Sequence, residues 1–436
     1  MSSTISLSKT QKLAGTVVLP GDKSISHRLG MLASLADGTT HITNFATSED
    51  CRSTLNCMRA LGVSVEGTDS ETNSIAIEGR GLNGLQPPKD ILDARNSGTT
   101  IRLLSGILAG QPFVSTITGD ESLSQRPMRR IMTPLTAMGA RIEATNDQFA
   151  PLTIQGGALH PIQYTLPMAS AQVKSCVLLA GLYADGETSV IEPVPTRDHT
   201  ERMLRAFGVN LTTDGKEIRI QGGQRLKAPP TSCTVPSDFS SAAFFLAAAL
   251  MVEEADLTIR HVGMNPTRTG MLQLLQSLGA EIQIENERFE IGEPVADLRV
   301  TRHHRVVAAP LVLKGDIIPN VIDELPILAV LGACLGGVEI RDARELRVKE
   351  SDRIRLVVEN LRRLGAEVTE FEDGLSAPGN QPFRGAVIDT AGDHRIAMAF
   401  AIAALVADGN THIQGAECVE VSFPKFYNVL HAIRQA

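Results

Sequence analysis

Two carboxylates and a dozen cations carry most of the chemical potential of this 436-residue sequence. Asp323 lies in an apolar setting, VIDELPILAV, just ahead of a helical pattern. A carboxylate placed there is either a helix cap or a general base. Glu350 stands between Lys349 and Ser351 in the basic segment RELRVKESDR, where it is either a salt-bridge partner or a proton donor. The cations are Lys23, Arg28, Arg102, Arg126, Arg129, Arg130, Lys174, Arg197, Arg268, Lys349, Arg353 and Arg395, and they cluster at expected helix starts. Positive charge is unfavourable there because the helix dipole already presents its positive end. Basic residues at free backbone N–H groups call for an anion between them. A ligand with several phosphate and carboxylate groups would satisfy the set.

Single segments have plainer readings. Gly21-Asp22-Lys23-Ser24 looks like the end of a nucleotide P-loop but lacks the upstream glycine. Gly79-Arg80-Gly81-Leu82-Asn83-Gly84 matches G-x-G-x-x-G literally, yet Pro87 and Pro88 follow instead of a helix, so it reads as a turn. His303-His304 reads as a solvated pair, and Asp393-His394-Arg395 as a capped helix start.

The elements that position these residues repeat. A helix of small apolar residues, a break and a strand recur as LASLADGTTHI (32–42), LSGILAGQPFVSTI (104–117), LLAGLYADGETSVI (178–191), FLAAALMVEEADLTI (245–259), LAVLGACLGGVEI (328–340) and AIAALVADGNTHI (401–413). Between them runs a second phrase, a helix stopped by glycine and then a strand: MRALGVSVEG, LTAMGARIEA, LRAFGVNLTT, LQSLGAEIQI and LRRLGAEVTE. The sixth copy is cut short at FPKFYNVLHAIRQA. Each copy reads strand–helix–strand–helix–strand–strand. Six copies divide three and three, with the boundary near VPSD (235–238), where the fourth begins.

Composition narrows the class. Apolar residues make up 43% and charged residues 21%, which suits a globular chain of more than one domain. Tryptophan is absent and tyrosine occurs three times, so the cores are expected to be built from Leu, Ile, Val, Ala and Met. A net charge of −8 argues against a nucleic-acid binder. Six cysteines without a Cys-x-x-Cys pair suggest neither a disulfide framework nor a zinc site, and fit a reducing cytoplasm. The opening MSSTISLSKTQKL has no apolar run, so no secretory signal is expected. The longest apolar stretch, Ala242 to Val252, is too short to span a bilayer.

The segments LPGDKSISHR, NSGTTIR, SLSQRPMRR, SAQVKS, TRDHTE, NPTRTG, ELRVKESDR and GDHRIAMAF, in this order along essentially the whole chain, resemble the 5-enolpyruvylshikimate-3-phosphate synthase family. The wording SISHR, RPMRR, SAQVKS and DHRIAM is closest to its class II bacterial members. The resemblance implies an α/β, two-domain enolpyruvyl transferase fold, an inside-out α/β barrel of six βαβαββ repeats. It implies a discontinuous first domain, 1–20 with 236–436, a second domain 21–235, and an active site in the cleft between them. The substrates would be phosphoenolpyruvate and shikimate 3-phosphate, with no metal or organic cofactor, no nucleic acid and no membrane, and a monomer in the cytoplasm is expected. Carried over by position, Lys23 matches a catalytic residue touching both substrates, and Ser24 and Arg28 match shikimate 3-phosphate ligands. Gly98 and Arg126 match phosphoenolpyruvate positions, and Ser170, Ala171 and Gln172 the next shikimate-phosphate segment. Arg197 matches a phosphate-binding arginine, Asp323 the general base, Lys349 a shikimate-side ligand and Glu350 the proton donor. Arg353 and Arg395 match clamps on the phosphoenolpyruvate carboxylate and phosphate. Gly98 is also the small residue that alanine replaces in some glyphosate-tolerant members, the family being the glyphosate target.

The chain departs from the family where many class I members carry a late lysine before Thr-Phe-Pro: here stands Val421-Ser422-Phe423-Pro424. Two rival readings remain. One is the related UDP-N-acetylglucosamine enolpyruvyl transferase, which usually carries a reactive cysteine near its Arg-Pro motif; GDESLSQRPMRR has none. The other is a non-catalytic anion-binding protein on the same repeat.

Overall fold

The computed structural model describes residues 3–67, 73–302 and 309–434; His303 and His304 lie outside them. The chain divides into two units. The first comprises Met1–Pro20, Ser237–Arg288 and Pro294–Ala436; the second comprises Gly21–Pro236 together with Phe289–Glu293.

Each unit is built around three small sheets on one plan, a parallel pair with further strands added antiparallel; the second unit also has a two-stranded parallel sheet of Ala36–Asp37 and Leu226–Lys227. In the second unit, Leu92–Asp93 runs parallel to Val114–Thr118, which is followed across the sheet by Phe149–Gln155 and Arg141–Thr145. Gln163–Thr165, Glu187–Ile191, Glu217–Gln221 and Leu211–Asp214 repeat that order. So do Cys233–Thr234, Thr39–Thr43, Ile75–Glu78 and Ser64–Gly67. In the first unit the same plan orders Leu311–Leu313, Gly337–Ile340, Gly374–Pro378 and Thr369–Phe371. It also orders Lys12–Val17, Glu254–Gly263, Glu293–Arg302 and Ile282–Glu290.

The sixth sheet explains the copy that the sequence leaves short. Val387–Asp389 lies parallel to Asn410–Gln414, and the strand after it is Thr4–Ser8, antiparallel, with Thr4 opposite Gln414. The first and fourth copies exchange their opening strands: Cys233–Thr234 pairs in the first copy's sheet and leads into the fourth copy's helix, whereas Lys12–Val17 does the converse. These sheets remain separate; among the described residues they do not join into one closed barrel.

One helix of each copy is almost wholly buried. Phe239–Met251 is buried along all 13 residues, and His394–Ala404 along all but Arg395. Alanine at so many of their positions lets these helices approach closely without losing helix propensity. In the second unit, a Cβ at Gly106 would stand 2.3 Å from the Cys176 carbonyl oxygen, so the helices Gly98–Ala109 and Ala171–Gly181 meet there over a bare backbone. Each unit has its own hydrophobic core. Leu, Ile, Val, Ala and Met dominate both, but the few aromatics are concentrated: Phe244, Phe245, Phe423 and Phe426 stack at 5.7–6.2 Å and seat the helix Phe426–Ile433 against Phe239–Met251. Phe423, next to the positions where the chain departs from the family, is thus a buried packing residue. No single helix among the described residues is long and apolar enough to cross a membrane.

Candidate active site

In the second unit the helix starts converge on polar hubs. Asp22, Ser97 and Ser170 cap Lys23–Leu35, Gly98–Ala109 and Ala171–Gly181, each accepting a backbone N–H from the first turn. Arg28, one turn into its helix, is 4% exposed. Its Nε donates to Thr200 Oγ1 at 2.7 Å, Nη2 to Ser175 Oγ at 2.9 Å and Nη1 to the Ser24 carbonyl at 2.9 Å. One guanidinium therefore joins the starts of three helices. Burial pushes Arg28 down to about 10; Glu201 and Asp22 oppose that shift, and Arg197 adds to it. An anion would reverse it.

Lys23 Nζ donates to Asp50 Oδ2 at 2.8 Å, in the first turn of Glu49–Ala60. Gln172 bridges two helix starts: its Oε1 accepts from Arg102 Nη1 at 2.7 Å and its Nε2 donates to Thr99 Oγ1 at 3.0 Å. A methyl group on Gly98 would stand 2.7 Å from Arg102 Nη1 and 3.6 Å from Arg126 Nη1. The bare backbone leaves room for both guanidinium groups. Arg126 is aimed by Asn96, whose Oδ1 accepts from Nη2 at 2.7 Å. Ala171 follows the Ser170 cap, and Arg197 lies in the loop before His199–Ala206.

The first unit carries the carboxylates. Asp323 sits between the short helix Ile318–Val321 and the helix Leu325–Cys334. Three guanidinium groups approach its side chain at 3.7 Å: Arg268, Arg353 and Arg395. Arg395 Nη1 also donates to its carbonyl at 3.0 Å. Arg353, 1% exposed, reaches Glu350 Oε2 at 2.7 Å and Asp393 Oδ2 at 2.8 Å. Asp323 and Glu350, separate in sequence, are therefore tied to one buried cation. Burial alone would lower Arg353, but Asp393, Glu350 and Asp323 outweigh it and raise the group above its ordinary value. Asp393 is fully buried; Arg353 overcomes the desolvation and holds it below the usual carboxylate range. Lys349 makes only a partly exposed pair with Glu345 at 3.2 Å.

The structure thus draws Lys23, Ser24, Arg28, Gly98, Arg126, Ser170, Ala171, Gln172 and Arg197 to helix starts and loops of the second unit, and Asp323, Lys349, Glu350, Arg353 and Arg395 to those of the first. Sequence reasoning gave no role to Asp50, Ser175 or Thr200. It read Asp393 only as a cap; the side chain caps its helix and also holds Arg353. Their motifs were visible, but only folding pairs Asp50 with Lys23 or Thr200 with Arg28.

Comparison with known proteins identifies the family. The family described as EPSP synthase (3-phosphoshikimate 1-carboxyvinyltransferase) matches residues 7–430. A 3-phosphoshikimate 1-carboxyvinyltransferase of Solibacter usitatus is 53% identical over 98% of this chain and 99% of its own. One from Pelotomaculum thermopropionicum is 52% identical over 97% of each. A solved structure of EPSP synthase from Acinetobacter baumannii superposes with a TM-score of 0.88 at 46% identity, covering 99% of this chain and 98% of that one. With matches of this extent, the chain belongs to the EPSP synthase family, and its fold is that family's fold.

Proposed function

We propose that the chain transfers the enolpyruvyl group of phosphoenolpyruvate to the 5-hydroxyl of shikimate 3-phosphate, releasing phosphate, in the shikimate pathway to chorismate and the aromatic amino acids. The observation that carries the reading is the linkage of Asp323 and Glu350 through the buried guanidinium of Arg353. Two carboxylates so held supply one base and one acid.

In this reading Asp323 takes the proton of the 5-hydroxyl while Glu350 protonates the methylene carbon of phosphoenolpyruvate. The hydroxyl oxygen attacks the cationic C2, giving a tetrahedral intermediate that bears a methyl group. Loss of a methyl proton to the Glu350 carboxylate, with departure of phosphate carrying the proton held by Asp323, restores the double bond as an enol ether and regenerates both carboxyl groups. Lys23 touches both substrates. Ser24, Arg28, Ser170, Ala171, Gln172, Arg197 and Lys349 hold shikimate 3-phosphate, and Gly98, Arg126, Arg353 and Arg395 hold phosphoenolpyruvate. Such fixed cations stabilise charge best where water is excluded. The assigned residues are divided between the two units.

The test is phosphate release by the purified protein given both substrates, with each omitted in turn. Release that requires both is expected. Release with neither or one, or none from folded protein, overturns the reading, and UDP-N-acetylglucosamine is the next acceptor to try.

A further inference from the structure

A buried ammonium in the second unit has no part in the chemistry above. Lys174, one turn into the helix Ala171–Gly181, is 1% exposed. Its Nζ meets Glu192 Oε2 at 2.9 Å, Glu201 Oε1 at 2.8 Å and the carbonyl oxygen of Thr196 at 3.3 Å, three acceptors for three N–H groups. Glu192 holds the same threonine from the other side, accepting its backbone N–H at 3.1 Å and its hydroxyl. Every polar atom of Thr196 is therefore taken by this pair, and the next residue is Arg197. Glu201 in turn supports the charge of Arg28. The two carboxylates beside Lys174 more than offset its burial and raise its affinity for a proton.

Burying three charges is a poor way to gain stability, since well-packed apolar residues often do as well. The arrangement fits a positional role better. We propose that Lys174 is a positioning residue for the acceptor phosphate: through Thr196 it fixes the backbone from which Arg197 projects, although its own ammonium touches no substrate. The inference rests on the reading above in which Arg197 binds the phosphate of shikimate 3-phosphate. Arg197 then has one backbone geometry at its root, and Lys174 and Glu192 set it.

The test compares Lys174→Met, Arg197→Ala and the double variant Lys174→Met/Glu192→Gln in steady-state kinetics and thermal unfolding. Misplacing a binding group by about 1 Å can cost about a hundredfold. Lys174→Met is expected to raise KM for shikimate 3-phosphate about tenfold or more, leaving kcat and KM for phosphoenolpyruvate within about threefold. The double variant removes one of the two carboxylates that Lys174→Met leaves uncompensated, so it is expected to regain part of the thermal stability while keeping the KM defect. It also serves if the single variant does not fold. A normal KM for shikimate 3-phosphate in both Lys174 variants, with Arg197→Ala impaired, overturns the inference and leaves the underlying reading intact. Equal increases in KM for both substrates that disappear as stability returns overturn it too, as a purely structural effect. Arg197→Ala with a normal KM removes the underlying assignment and this inference with it.

Discussion

The two units place arginine in buried surroundings and treat it in opposite ways. Arg28 in the second unit is hydrogen-bonded to hydroxyls and a carbonyl, and burial pushes it down to about 10 against the opposing influence of Glu201 and Asp22. Arg353 in the first is surrounded by Asp323, Glu350 and Asp393, which hold it above its ordinary value. Hydroxyl groups satisfy the geometry of a guanidinium without neutralising it, so Arg28 is ready for an incoming anion. Carboxylates compensate its charge, and Arg353 ties Asp323, Glu350 and Asp393 together. The contrast separates a unit whose buried arginine is hydrogen-bonded mainly by neutral groups from a unit whose buried arginine is compensated by carboxylates.

The largest effect that would sharpen this contrast is on turnover. Asp323→Asn keeps the shape of the first unit's cluster but removes the base, and kcat is expected to fall by about 10²–10⁴ with substrate binding retained. Near-normal turnover would end the assignment of proton chemistry to this half.

Next comes stability. Arg353→Met leaves Asp393 buried without its cation, and a loss of about 3–5 kcal/mol is expected by denaturant unfolding. Arg28→Met leaves hydroxyls and a carbonyl as its former hydrogen-bond partners, with Glu201 and Asp22 paired elsewhere or capping a helix, and a change within about 1–2 kcal/mol is expected. Equal losses would break the comparison. The acid limb of the stability curve should separate them further. Because Asp393 is held below its ordinary value, its ionised form stabilises the fold above about pH 4, and that contribution is lost as pH falls through its lower folded value. Arg353→Met should lose this acid dependence, whereas Arg28→Met should keep it.

A smaller effect probes the readiness for an anion. Inorganic phosphate at 100 times its Kd stabilises a protein by about 2.7 kcal/mol. Such a rise in Tm is expected for the native chain and should shrink in Arg28→Met; an undiminished rise would mean that the anion binds elsewhere. The smallest effect should come from Glu345→Gln. It frees Lys349 from a partly exposed pair, and unfolding should shift by less than about 1 kcal/mol.

Much of this was legible in the chain because helix starts announce themselves. Asp22, Ser97, Ser170 and Asp393 are capping residues ahead of apolar periodicity, and the adjoining cations marked those starts as unusual. The six-copy plan followed from two short phrases that alternate. Other features were not legible because they depend on pairs distant in sequence. Nothing in LPGDKSISHR says that Arg28 will meet Thr200, since the two lie 172 positions apart. Strand exchange was equally hidden: Cys233–Thr234 and Lys12–Val17 each read as ordinary strands, and only pairing reveals which sheet each one completes. Aromatic scarcity suggested an aliphatic core throughout, but counting residues does not reveal that four phenylalanines gather at one helix.

The strand Thr4–Ser8 gives the chain an order of assembly. It pairs with Asn410–Gln414, and nearby Ser3 bonds to Glu417, 414 positions away. Closing so long a loop is entropically slow, and contacts of that separation dominate folding time. During synthesis from the N-terminus, the continuous stretch Gly21–Pro236 has its three sheets available early, while residues synthesised first must wait for those synthesised near the end. The second unit therefore matures before the first, and a ribosome stalled in the last fifty or so residues would hold a complete second unit beside a first unit without its Thr4–Ser8 pairing.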